Sequence, residues 1–203
     1  VQFAWETNLS KIQVHGRDEN QKTIFYTALY HSLLNPNLYI DVDGRYRGMD
    51  MQIHNDSIDN HYTIFSLWDT FRATHPLFTL IEQEKTNEFI RTFLRQYRQG
   101  GKLPIWELAA NYTNCMIGYH AIPVIADAYA KGIRDYDTDE ALDAMIYSAN
   151  LDSEGLEYYK TKGFIAASDE QESVSKTLEY AYDDWCIAMM ADSLGRDDIA
   201  NYF

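Results

Sequence analysis

The sequence predicts an all-α fold of antiparallel helix pairs with one small β-hairpin. Three observations lead there. Apolar residues recur at helical spacing along most of the chain, short turn-forming stretches separate these segments, and neither a strand–helix alternation nor a G-x-G-x-x-G or P-loop motif occurs. With 203 residues, 46% of them hydrophobic, the chain can bury a substantial core, as one domain or as a piece of a larger one.

The stretch "DENQKTIFYTALYHSLL" places Ile24, Ala28, Leu29 and Leu33 at helical spacing, and "NPN" stops it. "LYIDVDGRYRGMDMQI" alternates instead, and Asp43-Gly44 between Val42 and Tyr46 predicts a hairpin turn. Helical spacing returns around "FSLWDTF", is expected to break at His75-Pro76, and resumes in "EKTNEFIRTFLRQYRQ". There Phe89, Phe93 and Tyr97 form one stripe, and Gly100-Gly101 closes the helix. "GYHAIPVIADAYAKGI" predicts a helix with Pro123 in its first turn or at a kink, and "TDEALDAMIYSA" one capped by Thr138. "LDSEGLEYYKTKGFIAASDEQE" reads as connection with at most a short helical piece. A last long helix starts near Ser173, carries Val174, Leu178, Ala181, Trp185 and Ala188 on one face, and ends at Gly195.

Acidic residues outnumber basic ones 31 to 17, a formal charge of -14 that repels a phosphate backbone. Neither Arg91, Arg95 and Arg98 nor Arg45 with Arg47 makes a basic patch that would override it, so nucleic acid is not an expected partner. No run approaches the roughly 18 apolar residues of a membrane span, and "VQFAWETNLS" lacks the pattern of a signal peptide. Cys115 and Cys186 fit no zinc or redox spacing and are expected to be buried free thiols. Aromatic content reaches 14%, including 16 Tyr and 4 Trp, which suits helix packing and the flat C–H face of a sugar ring alike.

Polar side chains crowd at a few places. Trp68, Asp69 and Arg72 stand within about a turn of each other, where Asp69 and Arg72 at i, i+3 form at least a surface ion pair. Trp106 and Glu107 repeat the pairing of indole and carboxylate after a Gly-Gly-Lys-Leu-Pro break, so the two dipeptides would face one cavity if successive helices present the same end to it. In "EYAYDDWC", Glu179 and Asp183 are like charges at i, i+4, with Asp184 beside Trp185. Such acids point into water, or bind a cation or sugar hydroxyls, or one of them keeps its proton. His120 starts an otherwise apolar helix and is expected to be a packed, hydrogen-bonded residue. From the residues alone, Glu107 paired with Asp183 or Asp184 is the candidate acid–base couple.

Four long motifs, "IFYTALYHSLLNPN", "YTIFSLWDTFRATHPL", "QGGKLPIWELAANYTNCMIGYHAIPVIADAYAKGI" and "ESVSKTLEYAYDDW", closely resemble the catalytic domain of glycoside hydrolase family 92 in order and spacing, over nearly the whole chain. The resemblance implies an exo-acting, calcium-dependent α-mannosidase that inverts anomeric configuration, secreted, periplasmic or at the surface of a bacterium. It implies an (α/α)6 barrel preceded by linker helices, residues 1–16 matching the linker and 17–203 the first part of the barrel. Family members are several times longer, and their motifs for the general acid, the general base and the calcium ligands (E-G-N-x-W-Q-Y, G-x-x-H-E-M, and G-N-D-D or G-D-E-D types) do not occur in these residues.

The chain is thus expected to be a fragment, inactive alone, with the remainder of the parent polypeptide as partner. Carried over by position are glycone-binding residues: Trp68 and Asp69 as the family's W-D pair lining the pocket for the terminal mannose, with Arg72, Trp106, Glu107, Asp183 and Asp184 on matching motif positions. The alternative is a helical carbohydrate-binding protein without catalytic residues.

Overall fold

The computed structural model describes residues 1–56 and 59–203. They form two compact units, residues 1–37 and 38–203. The first holds α1 (Gln2–Leu9) and α2 (Glu19–Ser32). Asp18 caps α2 by accepting from the amides of Asn20 and Gln21, and Trp5 rests on Tyr30 with ring centroids 4.6 Å apart. Of the predicted apolar positions on α2, Leu29 is buried and Ile24 exposed.

The second unit is mainly helical. After β1 (Asn37–Leu38), β2 (Arg45–Arg47) and β3 (Ile53–Asn55) form an antiparallel hairpin, followed by β4 (Tyr62–Thr63) and β5 (Phe65–Ser66). The helices are α3 (Leu67–Thr70), α4 (Thr74–Ile81), α5 (Gln83–Gly100), α6 (Ala121–Ala130), α7 (Thr138–Ala149), α8 (Leu156–Lys162), α9 (Ser173–Ser193) and α10 (Asp197–Ala200), with β6 (Trp106–Glu107) between α5 and α6. α5 packs on α4, α6 and α7, while α9 packs on α6, α7 and α10. Phe65 packs edge-to-face on Phe89 and Phe93, Phe78 lies tilted on Phe89, and Ile122, Ile125, Leu142, Met145, Ile187 and Met190 extend the core. No helix among the described residues is long and apolar enough to cross a membrane.

Several local expectations change. The hairpin exists, but its turn spans Gly48 to Gln52, closed by Gly48 N to Gln52 O at 2.8 Å with Met51 at φ 62°. Asp43-Gly44 makes an earlier turn instead, where the Asp43 carboxylate accepts from the Arg45 amide. The chain breaks at residues 71–73, not at His75-Pro76. Pro76 lies in the first turn of α4, where its missing N–H leaves no bond unmade, and His75 is buried against Phe78, Phe89 and Phe93. α7 is capped by Asp137, whose side chain accepts from Glu140 N, one residue before the expected Thr138. Cys115 is exposed and only Cys186 is buried.

α9 departs most. Val174, Leu178 and Trp185 are 71%, 67% and 55% exposed, whereas the face packed on α6 and α7 carries Lys176, Tyr180, Asp183, Cys186, Ile187 and Met190. A helix apolar on more than one side does not reveal from its periodicity which side meets the core.

Candidate active-site wall

β5 and β6 bring the two indole–carboxylate dipeptides together. They pair antiparallel with Phe65 opposite Glu107 and Ser66 opposite Trp106, so Trp106 stands across the ladder from a residue two before Trp68. α3 starts at the end of β5, and its first turn presents Trp68 and Asp69 to solvent. Ser66 hydroxyl donates to the Asp69 carboxylate, tying the strand end to that turn. Trp106 itself is half-buried.

Arg72 does not pair with Asp69 in the structure. Its guanidinium lies over the Phe71 ring, 4.4 Å from the centroid, and donates to Glu179 on α9. Phe71 also stacks on His120, ring centroids 4.1 Å apart. His120 is buried, with Nδ1 2.8 Å from Asp183 Oδ1 and Nε2 3.4 Å from Glu179 Oε2. Gly118 makes room for this ring: at its φ of +78° a Cβ would collide with the imidazole. His120 thus bonds buried Asp183 through Nδ1, whereas its buried Nε2 faces Glu179, the acceptor of the exposed Arg72 guanidinium, without a hydrogen-bond partner among the described residues.

The acids of this region sit in different environments. Asp183 is 0% exposed and accepts from Tyr119 N at 2.9 Å, and burial raises its pKa against the pull of His120. Asp184, half-buried, accepts from the Tyr119 hydroxyl at 2.6 Å, and burial pushes its carboxyl up to about 6. Glu107 is also 0% exposed, and burial raises its pKa. It accepts from the Thr63 hydroxyl at 2.9 and 3.1 Å, Ile64 N at 3.1 Å and Ala110 N at 2.6 Å.

Sequence reading pointed to Trp68, Asp69, Arg72, Trp106, Glu107, Asp183 and Asp184. The structure sets Trp68, Asp69 and Arg72 at the surface, Trp106 and Asp184 at intermediate depth, and Glu107 and Asp183 inside. Glu179 joins them through Arg72, a pairing that spans 107 positions and leaves no local trace in the sequence. Its i, i+4 spacing from Asp183 was the available signal, and His120 stands between the two carboxylates.

The family model of the "Glycosyl hydrolase family 92 catalytic domain" matches residues 1–203. The chain belongs to glycosyl hydrolase family 92. A solved family GH92 α-mannosidase of Bacteroides thetaiotaomicron is 43% identical over 98% of this chain at a TM-score of 0.94, and the same enzyme was solved with mannoimidazole. A family GH92 inverting mannosidase of that organism is 36% identical over the whole chain at a TM-score of 0.90. A curated relative from Arthroderma benhamiae, described as an uncharacterized secreted glycosidase, is 26% identical over 97% of the chain.

The chain spans 27% and 29% of the two bacterial structures and 24% of the fungal relative. Its helical array is accordingly part of the (α/α)6 barrel of this glycosyl hydrolase family.

Calcium, which the family implies, does not fit these residues. Among those described, no three His, Cys, Asp or Glu side chains are grouped to hold a metal. The oxygens of Glu107, Asp183 and Asp184 instead meet hydroxyl, amide or imidazole groups.

Proposed function

We propose that this chain supplies one wall of the glycone pocket of an exo-acting, inverting α-mannosidase, with Trp68, Asp69, Arg72 and Trp106 as the residues that meet the sugar. The observation that carries the reading is the β5–β6 ladder. It aligns Trp106 with Ser66, and Ser66 in turn holds Asp69 beside Trp68. An indole covers the C–H face of a pyranose, while a carboxylate and a guanidinium take its hydroxyls as acceptor and donor. Arg72 suits the donor role because Phe71 and Glu179 fix its plane before any ligand arrives. Family membership and two neighbours described as mannosidases, one of them solved with mannoimidazole, support mannose as the sugar.

Inversion requires an acid that protonates the leaving oxygen and a base that activates water from the opposite face, with carboxyl groups roughly 6.5 to 9.5 Å apart. Glu107 and Asp183 have no exposed surface and the Asp184 carboxylate is engaged by the Tyr119 hydroxyl, so both roles are assigned to residues outside 1–203. Asp183 holds His120, which stacks on Phe71, the ring that Arg72 lies over, and Asp184 braces the same corner through Tyr119. Transport out of the cytoplasm, to the periplasm or surface of a bacterium or beyond, fits the secreted fungal relative and the bacterial source of the solved neighbours.

The test compares purified residues 1–203 with the full-length protein on an α-mannobiose. Hydrolysis by the full-length protein with inverted product, and none by the fragment, is the expected result. Turnover by the fragment would overturn the assignment of acid and base, and full-length protein that binds mannose without cleaving it would favour a non-catalytic carbohydrate-binding role.

A further inference from the structure

Glu107 is followed by a turn that its own residues disfavour. Leu108 N donates to Asn111 O and Asn111 N to Leu108 O, both at 3.1 Å, and the two residues between them, Ala109 and Ala110, have φ of 48° and 60°. Reciprocal bonds around two left-handed residues mark a two-residue hairpin loop of the type I′ kind, which favours Asn-Gly, Asp-Gly or Gly-Gly. Alanine there sets its Cβ against its own carbonyl oxygen.

The strained turn is held from outside. Glu107 accepts from Ala110 N at 2.6 Å, and Thr63 Oγ1, while donating to Glu107, accepts from Ala109 N at 2.6 Å. Ala109 O accepts from Arg47 at 2.6 Å and from the Asn111 amide at 2.9 Å. The same carboxylate accepts from Ile64 N at 3.1 Å, immediately before β5. One buried side chain therefore ties the turn after β6 to the strand that leads into Trp68 and Asp69.

We infer that Glu107 is a positioning residue: its carboxylate enforces the Ala109-Ala110 turn and the β5–β6 register, and so sets Trp106 beside the Ser66–Asp69 edge. On the reading of that edge as a sugar wall, Glu107 governs substrate affinity without touching substrate. An anion is suited to the task because it accepts from three donors at once and offers none that would repel them.

The full-length protein carrying Glu107→Gln, alone and with Ala109→Gly and Ala110→Gly, tests this. Glu107→Gln is expected to speed amide hydrogen exchange of Leu108–Tyr112 by about tenfold or more and to raise KM for an α-mannobiose by about tenfold, leaving the shape of the kcat pH profile unchanged. The glycine pair, which accepts the turn without help, is expected to recover much of both. Should Glu107→Gln fail to fold, Thr63→Val is expected to move exchange and KM in the same direction by a smaller factor, and Thr63→Ser to restore them. Unchanged exchange in the turn, or a kcat that loses one limb of its pH profile and is not rescued by the glycines, would overturn the assignment. If the full-length protein has no mannosidase activity, the sugar reading fails, while exchange and its rescue still decide whether Glu107 positions the turn.

Discussion

Trp68-Asp69 and Trp106-Glu107 are the same pairing of indole and carboxylate, brought to one two-stranded ladder, yet their carboxylates live in opposite surroundings. Asp69 is exposed and meets the Ser66 hydroxyl, leaving lone pairs for a ligand. Glu107 has no exposed surface, and its oxygens are occupied by Thr63, Ile64 and Ala110. Residue type and neighbour therefore do not assign a role in this wall. On the proposed reading, a ligand-holding acid differs from a scaffold-holding one in whether its lone pairs are already taken.

The widest gap between the two is expected in stability. Glu107→Ala orphans three donors, two of them in buried bonds, and opens a cavity, and is expected to lower unfolding free energy by about 3–5 kcal/mol in urea titrations. Asp69→Ala should change it by less than about 1 kcal/mol. Similar losses at both sites would erase the distinction. In binding the order reverses. Trp68→Ala and Asp69→Asn are each expected to weaken mannoimidazole binding to the full-length protein by about 10–100-fold in calorimetry, at unchanged melting temperature.

Asp184 lies between these extremes and sharpens the comparison through pH. Burial lifts its carboxyl from the ordinary 3.8 to about 6, so the folded protein binds that proton more tightly than the unfolded chain. Its contribution to stability is thus largest below about pH 4 and is lost as pH rises through about 6, a change on the order of 3 kcal/mol. Asp184→Asn is expected to remove that part of the decline in unfolding free energy measured between pH 4 and 7. A steeper decline in the variant would contradict the assignment. The smallest effect is expected at Arg72, whose ion pair with Glu179 is exposed on the arginine side. Arg72→Lys should leave stability within about 1 kcal/mol and weaken mannoimidazole by about threefold to tenfold, because lysine keeps the charge and loses the plane.

Much of the helical frame was legible because its signals are local. The stripe of Phe89 and Phe93 in α5 packs inward as its spacing predicts, and Gly101 ends that helix in the left-handed conformation. Where local signals compete, the sequence misleads. Asp43-Gly44 looks like the hairpin turn although Gly48 to Gln52 closes it, and the exposed Val174, Leu178 and Trp185 form as good a stripe as the buried side of α9.

For the site, the Trp-acid dipeptides stood out by repetition, and β5–β6 explains their proximity. Depth and long-range partners were not readable: neither the burial of Glu107 nor the reach of Arg72 to Glu179 follows from spacing. The strain at Ala109-Ala110 was hidden as well, since Ala-Ala carries no turn signal and depends on the acid before it and on Thr63.

The most direct test is a crystal structure of the full-length protein bound to mannoimidazole. Asp69 within hydrogen-bond distance of the sugar, Trp68 against the ring, and Glu107 still bound to Ala110 and Ile64 with no ligand contact is the result expected. A sugar hydroxyl or the ligand's imidazole nitrogen on the Glu107 carboxylate, with Asp69 left in solvent, would contradict it.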